Sequence, residues 1–326
     1  MNQTQDFTKG VIWKQLLFFF FPILIGSFFQ QLYNTVDTII VGQTVGTSAL
    51  AAVGSTGNLT NLIINFYVGL STGASVVIAQ YYGAQNNKKI HQAVHTSYSL
   101  AIVSGILMML FGLFFSYQCL DAIGTPHDIL NDATLYMQLY FLCMIPGAIY
   151  NIGARILRAV GDSKRPLYYL IVCSIVNVVF DFIFVVIFHQ GIAGAAIATV
   201  IAQSVCAILV TIQLMRTNEV YKLTLSKMKF HLPVLKKIIM IGAPAGIQST
   251  MYSISNIVLQ SHINAFGTQT IASWSVYVKI DALFWMMIAA IGAAITTFSG
   301  QNYGAHLHDL SLIHISEPTR QEAISY

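Results

Sequence analysis

Residues 13–41 read WKQLLFFFFPILIGSFFQQLYNTVDTIIV, an apolar stretch broken by one proline, a few amides and a single acid, Asp37. About 20 mostly apolar residues suffice to cross the hydrocarbon layer as a helix, so this run alone is long enough to span a membrane. It also runs well past the apolar length of a secretory signal and has no small-residue cleavage site. Seven further stretches are comparable: 50–80, 94–118, 134–157, 167–188, 192–215, 237–265 and 271–300. Their apolar residues run on without strict alternation, which argues for helices rather than a strand barrel. The expectation is an all-α polytopic membrane protein of eight spans.

Composition agrees. Of 326 residues, 56% are apolar and only 9% charged, against about 25% charged in a soluble domain. Such a chain cannot cover a water-facing surface, which excludes a soluble enzyme, a nucleic-acid binder and a disordered segment. The four cysteines, Cys119, Cys143, Cys173 and Cys206, have no metal-ligand or CxxC spacing and read as small core residues.

The basic residues set an orientation. Lys9 and Lys14 precede span 1; Lys88 and Lys89 follow span 2; Arg155, Arg158, Lys164 and Arg165 lie between spans 4 and 5. Arg216, Lys222, Lys227, Lys229, Lys236 and Lys237 lie between spans 6 and 7. All fall on one side of the eight-span register, while Asp121, Asp128 and Asp132 sit on the other, and Lys279 and Arg320 stand apart. By the positive-inside rule the N-terminus is expected in the cytoplasm.

The chain also repeats itself. Gly46-Thr47-Ser48-Ala49-Leu50-Ala51 returns as Gly267-Thr268-Gln269-Thr270-Ile271-Ala272, and Gln80-Tyr81-Tyr82-Gly83-Ala84 as Gln301-Asn302-Tyr303-Gly304-Ala305. Both pairs are offset by 221 residues, and Pro22 meets Pro244 at 222. Six spans fit one period, and an even number keeps both copies in the same orientation, a parallel repeat. The expected organisation is a cytoplasmic segment 1–12, a six-helix N-lobe 13–215, a cytoplasmic linker 216–236 and two helices of a second lobe, 237–305. Residues 306–326, HLHDLSLIHISEPTRQEAISY, are neither a span nor an amphipathic anchor. The expectation is a second lobe cut short, followed by a non-family tail resembling translated adapter or vector sequence.

Four ionisable residues fall inside spans: Asp37, Asp181, Lys279 and Asp281. A charge at mid-membrane costs about 2.5–3.5 kcal/mol on insertion scales, so each needs a reason. Helical spacing puts Gln30, Tyr33, Asn34 and Asp37 on one face of span 1, and Asn58, Asn61 and Asn65 on one face of span 2. Ser174, Asn177 and Asp181 share a face of span 5, and Thr199 and Gln203 a face of span 6. Amides and hydroxyls can simply join helices. Two carboxylates point instead to a reloadable cation trap, because an amide would do the joining at lower cost. Span 7 contributes Gln248, Tyr252, Asn256 and Gln260, with no acid. Pro22 and Pro244 can kink their spans and free a carbonyl. Lys279 and Asp281, two residues apart, point to different faces, and their role stays open between function and local ion pairing.

Three stretches carry a family resemblance: FPILIGSFFQQLYNTVDTIIVG (21–42) with GTSALAAVG after it, ILRAVGDSKRP (156–166), and NVVFDFIF (177–184) leading into GIAGAAIATVIAQ (191–203). With the QYYGA and QNYGA endings, they resemble the multidrug and toxic compound extrusion (MATE) family of cation-coupled antiporters over residues 10–305. The resemblance implies twelve helices in two lobes around a central cavity, with access alternating between the two sides. It implies that Asp37, Asn177, Asp181, Tyr136 and Thr199 form an N-lobe site for H⁺ or Na⁺, with no other cofactor. Some members add a carboxylate on span 7; here the repeat partner of Asp37 is Val258 or Leu259, so coupling is expected in the N-lobe alone. The implied activity is export of organic, often cationic or amphipathic, compounds from the cell, by a multi-pass protein of the cell membrane. The partners implied are small organic substrates and the lipid bilayer, with no nucleic acid and no obligate protein.

Three rivals remain at this level. A lipid-linked oligosaccharide flippase of related fold would line its cavity with arginines or lysines to neutralise pyrophosphate, and only Lys279 is available for that here. An intramembrane aspartyl protease would use Asp37 and Asp181 as a dyad, but Val36 and Phe180 precede them where Tyr-Asp and Gly-x-Gly-Asp are required. An inactive fragment is the third.

Overall fold

The computed structural model describes residues 7–8, 11–264 and 268–310. Among these residues the chain is all helix and turn. In order, α1 (Ile12–Thr44), α2 (Thr47–Gly83), α3 (Asn87–Ala122), α4 (His127–Phe141), α5 (Met144–Ala159) and α6 (Lys164–Asp181) come first. A π-helical segment, Phe182–Ile187, continues α6, and α7 (Gly191–Arg216), α8 (Leu232–Asn264) and α9 (Thr268–Gly304) complete the chain. Among the described residues five helices are long and apolar enough to cross a membrane, or six if the bent pair α4–α5 is one span.

The molecule is apolar outside, and its largely apolar core also buries polar residues. Phe114, Met240, Ile175 and Phe284 are exposed, while Asp181, Asn177, Thr96, Ser97 and Asn302 are buried. That arrangement suits hydrocarbon as the surrounding solvent, where each polar group must find its partner inside the protein.

Two stretches expected as spans depart from a regular α-helix. The helix over 134–157 breaks at Leu142–Cys143, bending by 44°. There the Leu142 and Cys143 amides donate three residues back, to Leu139 O (3.1 Å) and Tyr140 O (3.0 Å). Pro146 supplies no N–H for the Leu142 carbonyl, which is the usual origin of such a bend. The second departure starts directly after Asp181, where the ladder widens to a π pattern and Phe188 N–H reaches Ile183 O at 2.9 Å.

Arg155 and Arg158 also stand elsewhere than expected. Both belong to α5, which continues to Ala159, and they are half-buried rather than in a loop. Beyond them Gly161 adopts φ +87°, and buried Asp162 accepts the Lys164 and Arg165 amides at 3.2 and 3.1 Å while pairing with the Arg165 guanidinium at 3.2 Å. The turn thus starts α6 with a side-chain acceptor on its unsatisfied amides.

α1 to α7 pack around one another: α3 on α5, α6 on α7 and α1, and α2 on α4 and α5. α8 lies along α2, and α9 against α2 and α1. Close packing at the basic end, where the lysine-rich turns gather, joins α9 to the rest. Phe7, Phe19 and Phe298 meet edge to face, with ring centroids 5.1 and 6.1 Å from Phe7. Gln301 spans the junction, accepting the Phe7 amide at 3.3 Å and donating to Ala159 O at 2.8 Å.

Candidate functional site

The last residue of α6, Asp181, is wholly buried (0% exposed), and neither carboxylate oxygen has a hydrogen-bond partner. One turn earlier, buried Asn177 donates from Nδ2 to Thr199 Oγ1 on α7 across 3.5 Å. Thr199 gives its own hydroxyl proton to Ala195 O at 3.1 Å. Asn177 Oδ1 is left without a donor, as is the buried Oδ1 of half-buried Asp37 on α1. Asp37 and Asp181 are near enough to act on each other electrostatically, and both act on buried Tyr136 of α4. The five residues expected at a cation site therefore converge from four helices.

A buried acceptor with no donor costs about 1–3 kcal/mol, more when charged. Four such oxygens lie here together, two on Asp181 and one each on Asp37 and Asn177. The π turn starting at Phe182 marks the same point of α6, and such irregularities recur at functional sites.

Beside this cluster is a cavity of about 210 Å³. It is lined by five residues picked out by helical spacing: Gln30, Tyr33 and Asn34 of α1, Asn61 of α2 and Gln203 of α7. Tyr140, Tyr67 and Asn151 also line it and were not picked out. Tyr140 follows Tyr136 by one turn, their rings 6.0 Å apart, so the i, i+4 rule applied to α4 would have found it. Tyr67 donates to Ala148 O at 3.2 Å, and Asn151 to Gly147 O at 2.8 Å. No lysine or arginine is among its lining residues.

The other expected residues go elsewhere. Asn65 donates to Ser253 on α8 at 3.0 Å, which ties α2 to α8 rather than facing the cavity. Gln248, Tyr252 and Asn256 of α8 are exposed and do not line the cavity; the Tyr252 ring packs 5.2 Å from Trp285. Pro22 and Pro244 lie inside α1 and α8. The side chains of Asn58, Gln260 and Lys279 lie outside the described residues, and Asp281 is half-buried. Cys143, Cys173 and Cys206 are buried free thiols, as expected of core residues.

Buried acids among lipid-exposed helices, with an uncharged polar cavity next to them, define a multi-pass membrane transporter. The MatE family model matches residues 22–183 and again 244–310, and the chain belongs to that multidrug efflux family. The two matches begin at Pro22 and Pro244, the residues paired by the internal repeat. The probable multidrug resistance protein YoeA of Bacillus subtilis is 29% identical over 315 residues, covering 94% of this chain and 68% of that protein. A crystal structure of MATE in the bent conformation superposes with a TM-score of 0.86 at 26% identity, over 96% of this chain and 69% of that one. A MOP superfamily transporter from Pyrococcus furiosus gives 0.84 at 26% identity, over 93% and 66%. The chain spans about two thirds of the length of each.

Proposed function

We propose that this chain is a secondary antiporter that exports organic, often cationic or amphipathic, compounds in exchange for H⁺ or Na⁺. In this reading eight spans cross the cell membrane, with the N-terminus in the cytoplasm. An N-lobe (13–215) and a second-lobe segment (237–305) are joined by the linker 216–236. The observation that carries it is the group of partnerless buried oxygens on Asp181, Asp37 and Asn177, which is costly unless proton or cation binding is its task.

Loading the two acids changes the local charge from negative towards neutral, and emptying them restores it. Substrate and ion then prefer different states of the same protein, the differential affinity that a population shift requires. Tyr136, Asn177 and Thr199 stand around the acids and supply further oxygens for the ion. The cavity at about 210 Å³ is below the roughly 300–1,000 Å³ of drug-sized pockets, so cargo enters when the lobes move apart. Tight contact between the repeats at the basic end supports a state with access from the opposite side, and rocking about that contact gives the second state.

The test reconstitutes the chain in vesicles with a fluorescent organic cation and imposes a pH or sodium gradient. Gradient-driven dye movement, abolished by Asp37→Asn without loss of protein, is the expected result. No gradient-driven movement by the unaltered chain, or movement undiminished in the variant, overturns the reading.

A further inference from the structure

A second cavity, also about 210 Å³, lies between α2, α5 and α9. Arg155 and Arg158 of α5 enter it one turn apart, with Thr72 and Ser75 of α2 and Thr296 and Thr297 of α9. Side chains three apart on a helix are neighbours, and the two guanidiniums repel each other. Among the described residues no Asp or Glu lines the cavity, and the ion pair present is the one between Arg165 and Asp162. Buried Arg158 Nε has no hydrogen-bond partner. Thr72, Thr296 and Thr297 donate to carbonyls of their own helices (3.1, 2.7 and 3.1 Å), which leaves the guanidiniums as the cavity's strong donors.

Two like charges in a confined space among hydroxyls are stable when an anion joins them. Guanidinium forks match tetrahedral oxyanions in bidentate geometry, and basic pockets between membrane helices suit lipid phosphates. We propose that this cavity is a phosphate site, in which Arg155 and Arg158 together hold one phosphate group. The group is either free or on an anionic lipid headgroup. Because α9 supplies one wall and α5 the arginines, the bound phosphate links the two repeats and favours the arrangement in which they touch. The site is separate from the Asp37–Asp181 cluster and does not depend on the cation reading.

The experiment follows thermal unfolding of the purified chain in detergent with a zwitterionic lipid. One arm adds inorganic phosphate against chloride of equal ionic strength; the other adds phosphatidylglycerol against phosphatidylcholine. The melting temperature is expected to rise saturably by about 2–4 °C or more in at least one arm, and the responding arm names the source. Arg155→Gln/Arg158→Gln is expected to lose that rise, and Arg155→Lys/Arg158→Lys to keep part of it. Without phosphate the Gln variant is expected to melt no lower than the unaltered chain, since a repulsion has been removed. No rise in either arm, or an equal rise in the Gln variant, overturns the proposal. So does a Gln variant that melts lower without phosphate, because the arginines would then already be satisfied by protein groups.

Discussion

Gly83, the last residue of α2, lies directly against the main-chain carbonyl of Gln301, one turn before the end of α9. The reverse contact is made as well: Gly304 lies against the carbonyl of Gln80. Each copy of the repeated Gln-x-Tyr-Gly ending therefore packs on the other, so the internal repeat is also the surface by which its copies meet. A methyl group on either glycine would overlap the facing carbonyl. Further along α2, Gly69 and Gly73 approach the backbone of α8 at Gly246 and Gly242 in the same way. Small residues let helix backbones come this close in a membrane.

Gly83→Val is accordingly expected to drive the ends of α2 and α9 apart. Overpacking of this kind costs about 1–3 kcal/mol, which lowers the closed-to-open ratio at the basic end by roughly 5- to 150-fold. Spin labels at Asn87 and Leu307, both exposed, would report a longer and broader distance distribution. An unchanged distribution would show that the contact does not hold the repeats together.

Asp181→Asn separates stability from function. The substitution removes a charge with two partnerless oxygens and so relieves part of a penalty of about 2.5–3.5 kcal/mol. The variant is expected to melt at or above the unaltered chain, by about 2–4 °C for each kcal/mol recovered. It should also lose any sodium- or proton-dependent change in melting temperature. A variant that melts lower while still responding to the ion would place the cation elsewhere.

Helical spacing made much of this site readable. Asp37, Asn177, Asp181 and Thr199 could be found because i, i+3 and i+4 repeats survive in any sequence that makes a helix. Spacing says which residues share a face but not which neighbour that face meets. Asn65 shows the limit: it belongs to the stripe of Asn61, yet it bonds to Ser253 while Asn61 lines the cavity. The bend at Leu142–Cys143 and the π turn after Asp181 left no mark in hydropathy, since both lie inside apolar runs. Arg155 and Arg158 read as loop cations in the sequence, because charge near the end of a span ordinarily faces water. Here α5 carries them into the seam between the repeats.

Tyr140 tests the neutral cavity. Its ring forms part of the wall between Tyr136 and the amides of α1 and α7. An aromatic contact is worth about 0.5–1.5 kcal/mol beyond area, so Tyr140→Leu is expected to weaken binding of an aromatic cation by roughly 2- to 12-fold. Fluorescence anisotropy titration in detergent measures it, with melting temperature as a check on folding. Equal affinity would place the dye outside this cavity.

His91 supplies a pH dependence outside the membrane, near the start of α3. Burial lowers its pKa below the ordinary 6.5, and nearby His95, Lys227 and His231 add to the effect. Lys88 and Lys229 line the same basic pocket, and the His91 ring stacks on that of His95 at 4.0 Å. Because the folded pKa is depressed, the unfolded chain takes up the proton first. The contribution of neutral His91 is complete above about pH 6.5 and is lost as the pH falls through the folded value. Melting temperature is thus expected to fall between pH 7.5 and 5, and His91→Gln to reduce that fall while leaving the value at pH 7.5 nearly unchanged. Buried His95 accepts the Thr224 amide at Nε2 (3.1 Å) and contacts the His91 carbonyl through Nδ1 (2.7 Å). A pH profile identical in the His91 variant would show that His91 does not set the acid sensitivity.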